Sequence, residues 1–175
     1  MKKIIPLFVL ISFAVSLAGQ EDAFSRISFL VGEWNGTGSG FGNQSSMIAS
    51  VFKTVMNNNY IEVINHSRFA PTESKPEGET HIDHGFISFD KSRNTIVYRQ
   101  FNNEGYINRY ILVDSLSTDS TLVFETEEIE NFVPGGKARW TIRKISENEI
   151  ETIFDVSLPQ RGYTCFGTNR LHRKE

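Results

Sequence analysis

Phe29-Leu30-Val31-Gly32-Glu33-Trp34-Asn35-Gly36-Thr37-Gly38-Ser39-Gly40-Phe41-Gly42 is the stretch on which the fold turns. A short apolar run ends in Gly-Glu-Trp and passes into glycines spaced two apart. It reads as the first strand of a small antiparallel barrel, with Trp34 plugging one end. The glycines lack a Cβ, so such a strand can bend sharply and approach its neighbours closely. The spacing also satisfies a dinucleotide fingerprint loosely. That motif needs a buried strand before it and a helix directly after it. Here the chain continues as polar and then strand-like sequence over residues 45–55, which excludes the phosphate reading.

Outward from this stretch, strand-like segments are divided by turn chemistry. Residues 47–56 and 60–69 flank Asn57-Asn58-Asn59. Residues 70–78 carry Pro71, Pro76 and Gly78 and form a loop. Segment 80–89 is closed by Asp90-Lys91-Ser92-Arg93-Asn94. Segments 95–101 and 106–113 flank Asn102-Asn103-Glu104-Gly105, a hairpin signal. Segments 122–129, 138–145, 149–158 and 163–171 follow, parted by Pro134-Gly135-Gly136, Ser146-Glu147-Asn148 and Pro159-Gln160-Arg161-Gly162. About ten short strands at this spacing predict an all-β fold, a single up-and-down antiparallel β-barrel. A short helix over residues 21–30 would close its end through Phe24, Ile27, Phe29 and Leu30.

Alternation agrees with strands. Ile107, Arg109, Ile111 and Val113 share one face, with Tyr106, Asn108, Tyr110 and Leu112 opposite; Ile150, Thr152, Phe154, Val156 and Leu158 form another row. A closed barrel of eight to ten strands leaves an interior that side chains fill or that holds one small ligand. The chain has 14 Phe, and many of these must line that interior. The step from fold to function is therefore a cavity.

At 175 residues the chain fits one domain with room for a sizeable core. Its first 19 residues read as a secretory signal peptide: Lys2-Lys3, an apolar run over residues 4–17, then small residues before polar Gln20-Glu21-Asp22. The apolar run is shorter than the roughly 20 residues of a spanning helix, so the expected product is a secreted or periplasmic domain, residues 20–175, with no membrane attachment after cleavage. Two of the 18 basic residues lie in the signal, leaving 16 against 21 acidic ones, a formal charge of −5. A mildly acidic domain without a basic stripe is a poor nucleic-acid binder. Cys165 is the only cysteine, so no internal disulfide forms and the core alone must hold the fold. The Asn-x-Ser/Thr patterns at Asn35, Asn43 and Asn65 read as chance matches beside a bacterial-looking signal.

The order of motifs resembles the calycin group of barrels, which includes lipocalins and fatty-acid-binding proteins, and is most similar to its nitrobindin-like haem-binding branch. Leu30-Val31-Gly32-Glu33-Trp34 with the following glycines resembles the Leu-Gly-x-Trp opening of those domains. Phe69-Ala70-Pro71-Thr72, Lys75-Pro76 and then Asp83-His84-Gly85-Phe86-Ile87 resemble their proline loop and the strand after it. The resemblance implies an up-and-down barrel, and haem held by a histidine on the last strand. The corresponding stretch, residues 163–171, contains no histidine. His172 falls late, beside Arg173 and Lys174, as a solvated tail residue. Cys165 is the weak candidate for iron, as a thiolate, against its reading as a small hydrophobe. No cofactor is expected, with haem as the alternative.

His81, Asp83 and His84 are the only cluster of ligand-type residues. On a regular strand His81 and Asp83 share a face and His84 points the other way, so three metal ligands do not converge. A bulge at Gly85 would re-aim His84 inward as one titratable group; the plainer expectation is a surface His81–Asp83 pair. Arg99 and Arg109 alternate with apolar residues, and inward arginines with a tyrosine such as Tyr98, Tyr110 or Tyr163 would grip a carboxylate bidentately. The competing expectation for each is a rim arginine paired with glutamate. The acidic run Glu125, Glu127, Glu128 and Glu130 reads as a solvated face. No Gly-x-Ser-x-Gly turn or Cys-His nucleophile pair is present, which weighs against a hydrolase.

These readings converge on a barrel that binds a small, largely apolar molecule, with or without an anionic group. Its expected ligand-binding residues are Trp34, His84, Arg99, Arg109 and Tyr110. The alternatives are a haem barrel acting on nitrogen oxides and an enzyme using His84 as acid and base. The expected partner is a small apolar or amphiphilic molecule, with a homodimer of barrels as a further option.

Overall fold

The computed structural model describes residues 24–40 and 44–175. Ten strands run in order: β1 Gly32–Gly40, β2 Gln44–Val55, β3 Tyr60–Phe69, β4 Glu79–Asp90, β5 Thr95–Asn102, β6 Ile107–Leu112, β7 Thr121–Glu130, β8 Lys137–Ser146, β9 Glu149–Ser157 and β10 Tyr163–Arg173. Each pairs antiparallel with its neighbours in sequence, and β10 returns to β1, so the sheet closes into a barrel. Closure removes both sheet edges. The segments predicted between turn residues match these strands closely, because the turns carry backbone that strands cannot: Met56, Asn57, Asn58, Asn94, Asn131 and Gln160 all have positive φ.

The glycines of β1 serve its pairing with β10. A Cβ on Gly36 would lie 1.9 Å from Arg170 O, and one on Gly38 would lie 2.3 Å from Asn169 Oδ1. Strand β1 therefore sits closer to β10 than a side chain on that row would allow, and this contact is what seals the barrel. The expected signal peptide, residues 1–19, and Asn43 lie outside the described residues. Of the helix expected over residues 21–30, the described part is helical at residues 24–25 and ends in a short 3₁₀ turn, Ser28–Leu30.

At one end side chains fill the barrel axis, with an open groove of about 630 Å³ at the rim between the N-terminal turn and Phe89, Ile96 and Leu112. Trp34 is 1% exposed and its Nε1 donates to Leu30 O at 2.8 Å, while Ile27 and Leu30 are fully buried against it. Phe52, Ile61, Ile87, Leu122, Ile142 and Ile150 fill the space above them. Each such side chain contributes about 1.5–3 kcal/mol on leaving water. With Cys165 unpaired, this packing carries the stability of the fold. His172 lies within β10 rather than in a tail, exposed and paired in register with Asn35 and Glu149.

Candidate functional site

The end opposite Trp34 is hollow. A cavity of about 450 Å³ runs inward from the mouth, in the size range of small-molecule sites. Its floor is aromatic and apolar: Phe52, Tyr110, Ala138, Trp140, Phe154 and Leu171. Trp140 is the hub of that floor. Its ring stacks on Phe52 at a centroid distance of 6.4 Å and lies 5.3 Å from Tyr98 and 5.9 Å from Phe124. Tyr98 and Tyr110 stack on each other at 5.7 Å. Alternation places these rings on the inner rows of β2, β5, β6, β7 and β8.

Above the floor the lining turns polar. Ser46 and Ser50 on β2, Asn65 and Ser67 on β3, Thr152 on β9 and Asn169 on β10 all face the hollow. Asn108 Nδ2 donates to Gln100 Oε1 at 2.8 Å, and Asn169 Nδ2 donates to Thr152 Oγ1 at 3.1 Å. Such groups keep donor and acceptor capacity in reserve for an occupant.

The mouth is acidic. His81 on β4 lies between two carboxylates: Nδ1 meets Glu104 Oε1 from the β5–β6 turn, and Nε2 is 3.1 Å from Glu79 Oε1. Deeper on the same inner row, Asp83 has its carboxyl pushed up to about 7, mainly because burial disfavours the charge and also because of Glu104, with His81 opposing. Burial and the Asp83 charge together push the Tyr98 phenol well above its ordinary value of 10.0. Tyr98 is fully buried, and no hydrogen bond of normal geometry reaches its Oη, although Gln100 lies near.

Of the residues expected from sequence to bind a ligand, Tyr110 lines the cavity. Trp34 sits at the sealed end instead. His84 points outward and meets Glu62 Oε1 at 2.9 Å; the register between β3, β4 and β5 runs through Gly85 without a bulge, so nothing re-aims it. Gly85 serves a close approach, since a Cβ there would lie 2.0 Å from Arg99 O. Arg99 and Arg109 are also on the outside. Arg99 Nη1 donates to Ser88 Oγ at 3.0 Å, and Arg109 pairs with Glu127 and Glu128 at 3.4 and 3.3 Å. The carboxylate clamp therefore has no inward arginine. Glu125 and Glu127 likewise serve outer ion pairs, with Arg139 at 2.6 Å and Arg93 at 2.7 Å.

His81 and Asp83 reverse the expectation of a surface pair, because both face inward. The signal was their shared row with Ile87 and Phe89 on β4: Ile87 is fully buried, so its row is the inner one. Glu104 gave no such signal, since a turn residue has no alternation to read.

Among the described residues no group of three or more His, Cys, Asp or Glu side chains is arranged to hold a metal ion. The residues present do not fit haem either. Cys165 is exposed on the outer face, its Sγ 3.7 Å from Gly167 O and Thr168 Oγ1. The inward histidine, His81, has a carboxylate at each ring nitrogen. Among the described residues the cavity lining includes Asp83 and Glu104 and no lysine or arginine that would pair with haem's propionates.

No family model matches the chain, and no curated protein matches its sequence. Among solved structures it is similar to the crystal structure of Rv2717c from M. tuberculosis, with a TM-score of 0.62 and 14% identity over 87% of this chain and 98% of that one. It is also similar to EF1p2_mFAP2b bound to DFHBI, at a TM-score of 0.47, 12% identity and coverage of 87% and 99%. A de novo designed fluorescence-activating β-barrel is matched at a TM-score of 0.44, 11% identity and coverage of 84% and 95%. The first likeness shows a shared β-barrel fold.

Proposed function

We propose that this chain is an exported barrel that takes up one small amphiphilic molecule through its open mouth, with the apolar part of the ligand on the Trp140 floor and its polar part in the Ser, Asn and Thr band. The observation that carries the reading is the interior itself, with a hollow of about 450 Å³ at one end and side chains filling the barrel axis at the other. A barrel selected only for stability gains by filling such space, because a filled interior buries more apolar surface and makes more contacts. Export rests on the composition of the first 19 residues, and membership of the calycin group rests on the motifs around Leu30–Gly42 and Asp83–Ile87.

Native mass spectrometry of the protein recovered from its own compartment, set against its denatured mass, is the primary test. The expected result is an additional non-covalent mass of small-molecule size. Titration with the neutral dye N-phenyl-1-naphthylamine complements it, with saturable binding expected in the parent and blocked in Ser67→Trp, which fills the hollow from β3. A bare mass together with no saturable dye binding overturns the reading.

A further inference from the structure

We infer that the ligand of this cavity carries a positively charged nitrogen, seated against the Asp83 carboxyl beside the aromatic floor. This rests on the reading of the cavity as a binding site and adds the chemical class of what it takes. The charge balance of the lining points one way. Among the described residues lining the hollow, Asp83 and Glu104 are acidic and none is Lys or Arg. A carboxylate or phosphate there would meet like charge, with only His81, already held between Glu79 and Glu104, to offset it, whereas an ammonium completes the set.

The aromatic wall points to the same class. Tyr110 and Trp140 border the cavity, and the face of an aromatic ring attracts a cation, most strongly in a partly dry site. The buried Tyr98 Oη is an independent observation. It belongs to a ring stacked behind Tyr110 and Trp140, lies near Gln100 without a hydrogen bond of normal geometry, and is within electrostatic reach of Asp83. Buried polar atoms are rarely left so.

The groups facing Asp83 are His81 on its own strand, Glu104 from the β5–β6 turn, Tyr98 on β5 and Tyr110 on β6, with neutral Asn65 and Asn102 opposite in register. Burial pushes the Asp83 carboxyl up to about 7, so it is mostly ionised at pH 8 and mostly protonated at pH 6. Only the ionised form pairs with an ammonium, and apparent affinity scales with the competent fraction.

Isothermal titration of the full chain with 4-phenylbutylamine, 4-phenylbutanol and 4-phenylbutyrate tests this. The three probes share a body and differ in charge. At pH 8 the amine should bind at least about tenfold tighter than the alcohol, as a charge-assisted contact implies, and the carboxylate most weakly. The amine's advantage should fall about tenfold between pH 8 and pH 6. Asp83→Asn should erase it, and a cooperative urea unfolding transition of the variant shows separately that it is folded. An amine that binds no tighter than the alcohol, or an advantage that survives Asp83→Asn, overturns the inference and leaves the cavity reading standing. Failure of all three probes to bind the parent overturns both. If the variant does not fold, the parent's pH profile decides, and a flat one refutes the inference.

Discussion

The Arg173 guanidinium lies 4.2 Å above the centroid of the Trp34 ring, with Nη1 donating to Val31 O and Nη2 to Phe29 O, each at 2.8 Å. The last residue of β10 thus grips the turn that leads into β1, at the point where the barrel closes. Gly32 makes room for it: its φ is +141° and a Cβ would lie 2.4 Å from Arg173 Nη1. The Gly-Glu-Trp sequence that first suggested a barrel is therefore one half of a clamp whose other half stands 139 positions further on, at Arg173.

Arg173→Ala removes three hydrogen bonds from a charged donor, to Val31 O, Phe29 O and, from Nε at 3.2 Å, Glu147 O, together with one cation–π contact, and should cost about 2–4 kcal/mol. Arg173→Lys should recover less than half of that, since an ammonium cannot reach both carbonyls in the fork geometry. Urea unfolding measures both. In a double-mutant cycle with Gly32→Ala the two losses should fall short of additive, because each disrupts the same clamp. Full additivity would show that the two residues act apart.

Gly36→Ala should be among the most damaging single-methyl changes in the protein. Its Cβ would collide with the backbone of Arg170 and Leu171, which cannot swing aside as a side chain can. A loss of more than about 3 kcal/mol is expected, in the range reserved for core and backbone clashes. Gly162→Ala, where nothing lies within 4 Å of the new carbon, should change stability by less than about 0.5 kcal/mol.

The strands were legible because turn residues mark their ends: Asn57 and Asn58 adopt left-handed backbone in the β2–β3 turn, and Asp90 caps the β4–β5 turn by accepting from Ser92 and Arg93. Which face of each strand lies inside was harder to read, for a physical reason. Alternation assigns the apolar row to the interior, but a cavity wall is partly polar. On β6 the inner row is Asn108, Tyr110 and Leu112, while Ile107 and Ile111 lie on the outer row with Arg109. The row that looks more apolar is the outer one, and it carries Arg109 with it. On β4 the same effect hides His81 and Asp83 behind their polarity, although Ile87 and Phe89 further along give the sense of the row. Glu104 reaches the mouth from a turn, where contact is set by the closed barrel and by nothing local.

Because Arg99 and Arg109 lie outside, Arg109→Glu should leave the affinity for N-phenyl-1-naphthylamine unchanged within a factor of about two. Its cost to stability should stay below about 1 kcal/mol, the scale of exposed ion pairs. Dye titration alongside urea unfolding checks both. A loss of dye binding in this variant with the fold intact would return Arg109 to the cavity and undo the outward register of β6.

Asp83 should also make the barrel's stability fall as pH rises. Its folded pKa, about 7, stands above the ordinary 3.8, so between pH 4 and pH 7 the folded state holds a proton that the unfolded state has released. Stability attributable to this group is then greatest below pH 4 and declines through that window, with the whole penalty present above pH 7. A displacement of this size corresponds to at most about 4 kcal/mol, and water in the open half of the barrel screens part of it. Asp83→Asn removes the charge while keeping the shape. The variant should therefore be more stable than the parent at pH 8, by on the order of 2 kcal/mol, with the difference vanishing near pH 4. Urea midpoints at the two pH values measure this. Equal stability of parent and variant at pH 8 would mean that the carboxyl is well solvated in the folded state, and the acid at the centre of the cavity would then be an ordinary one.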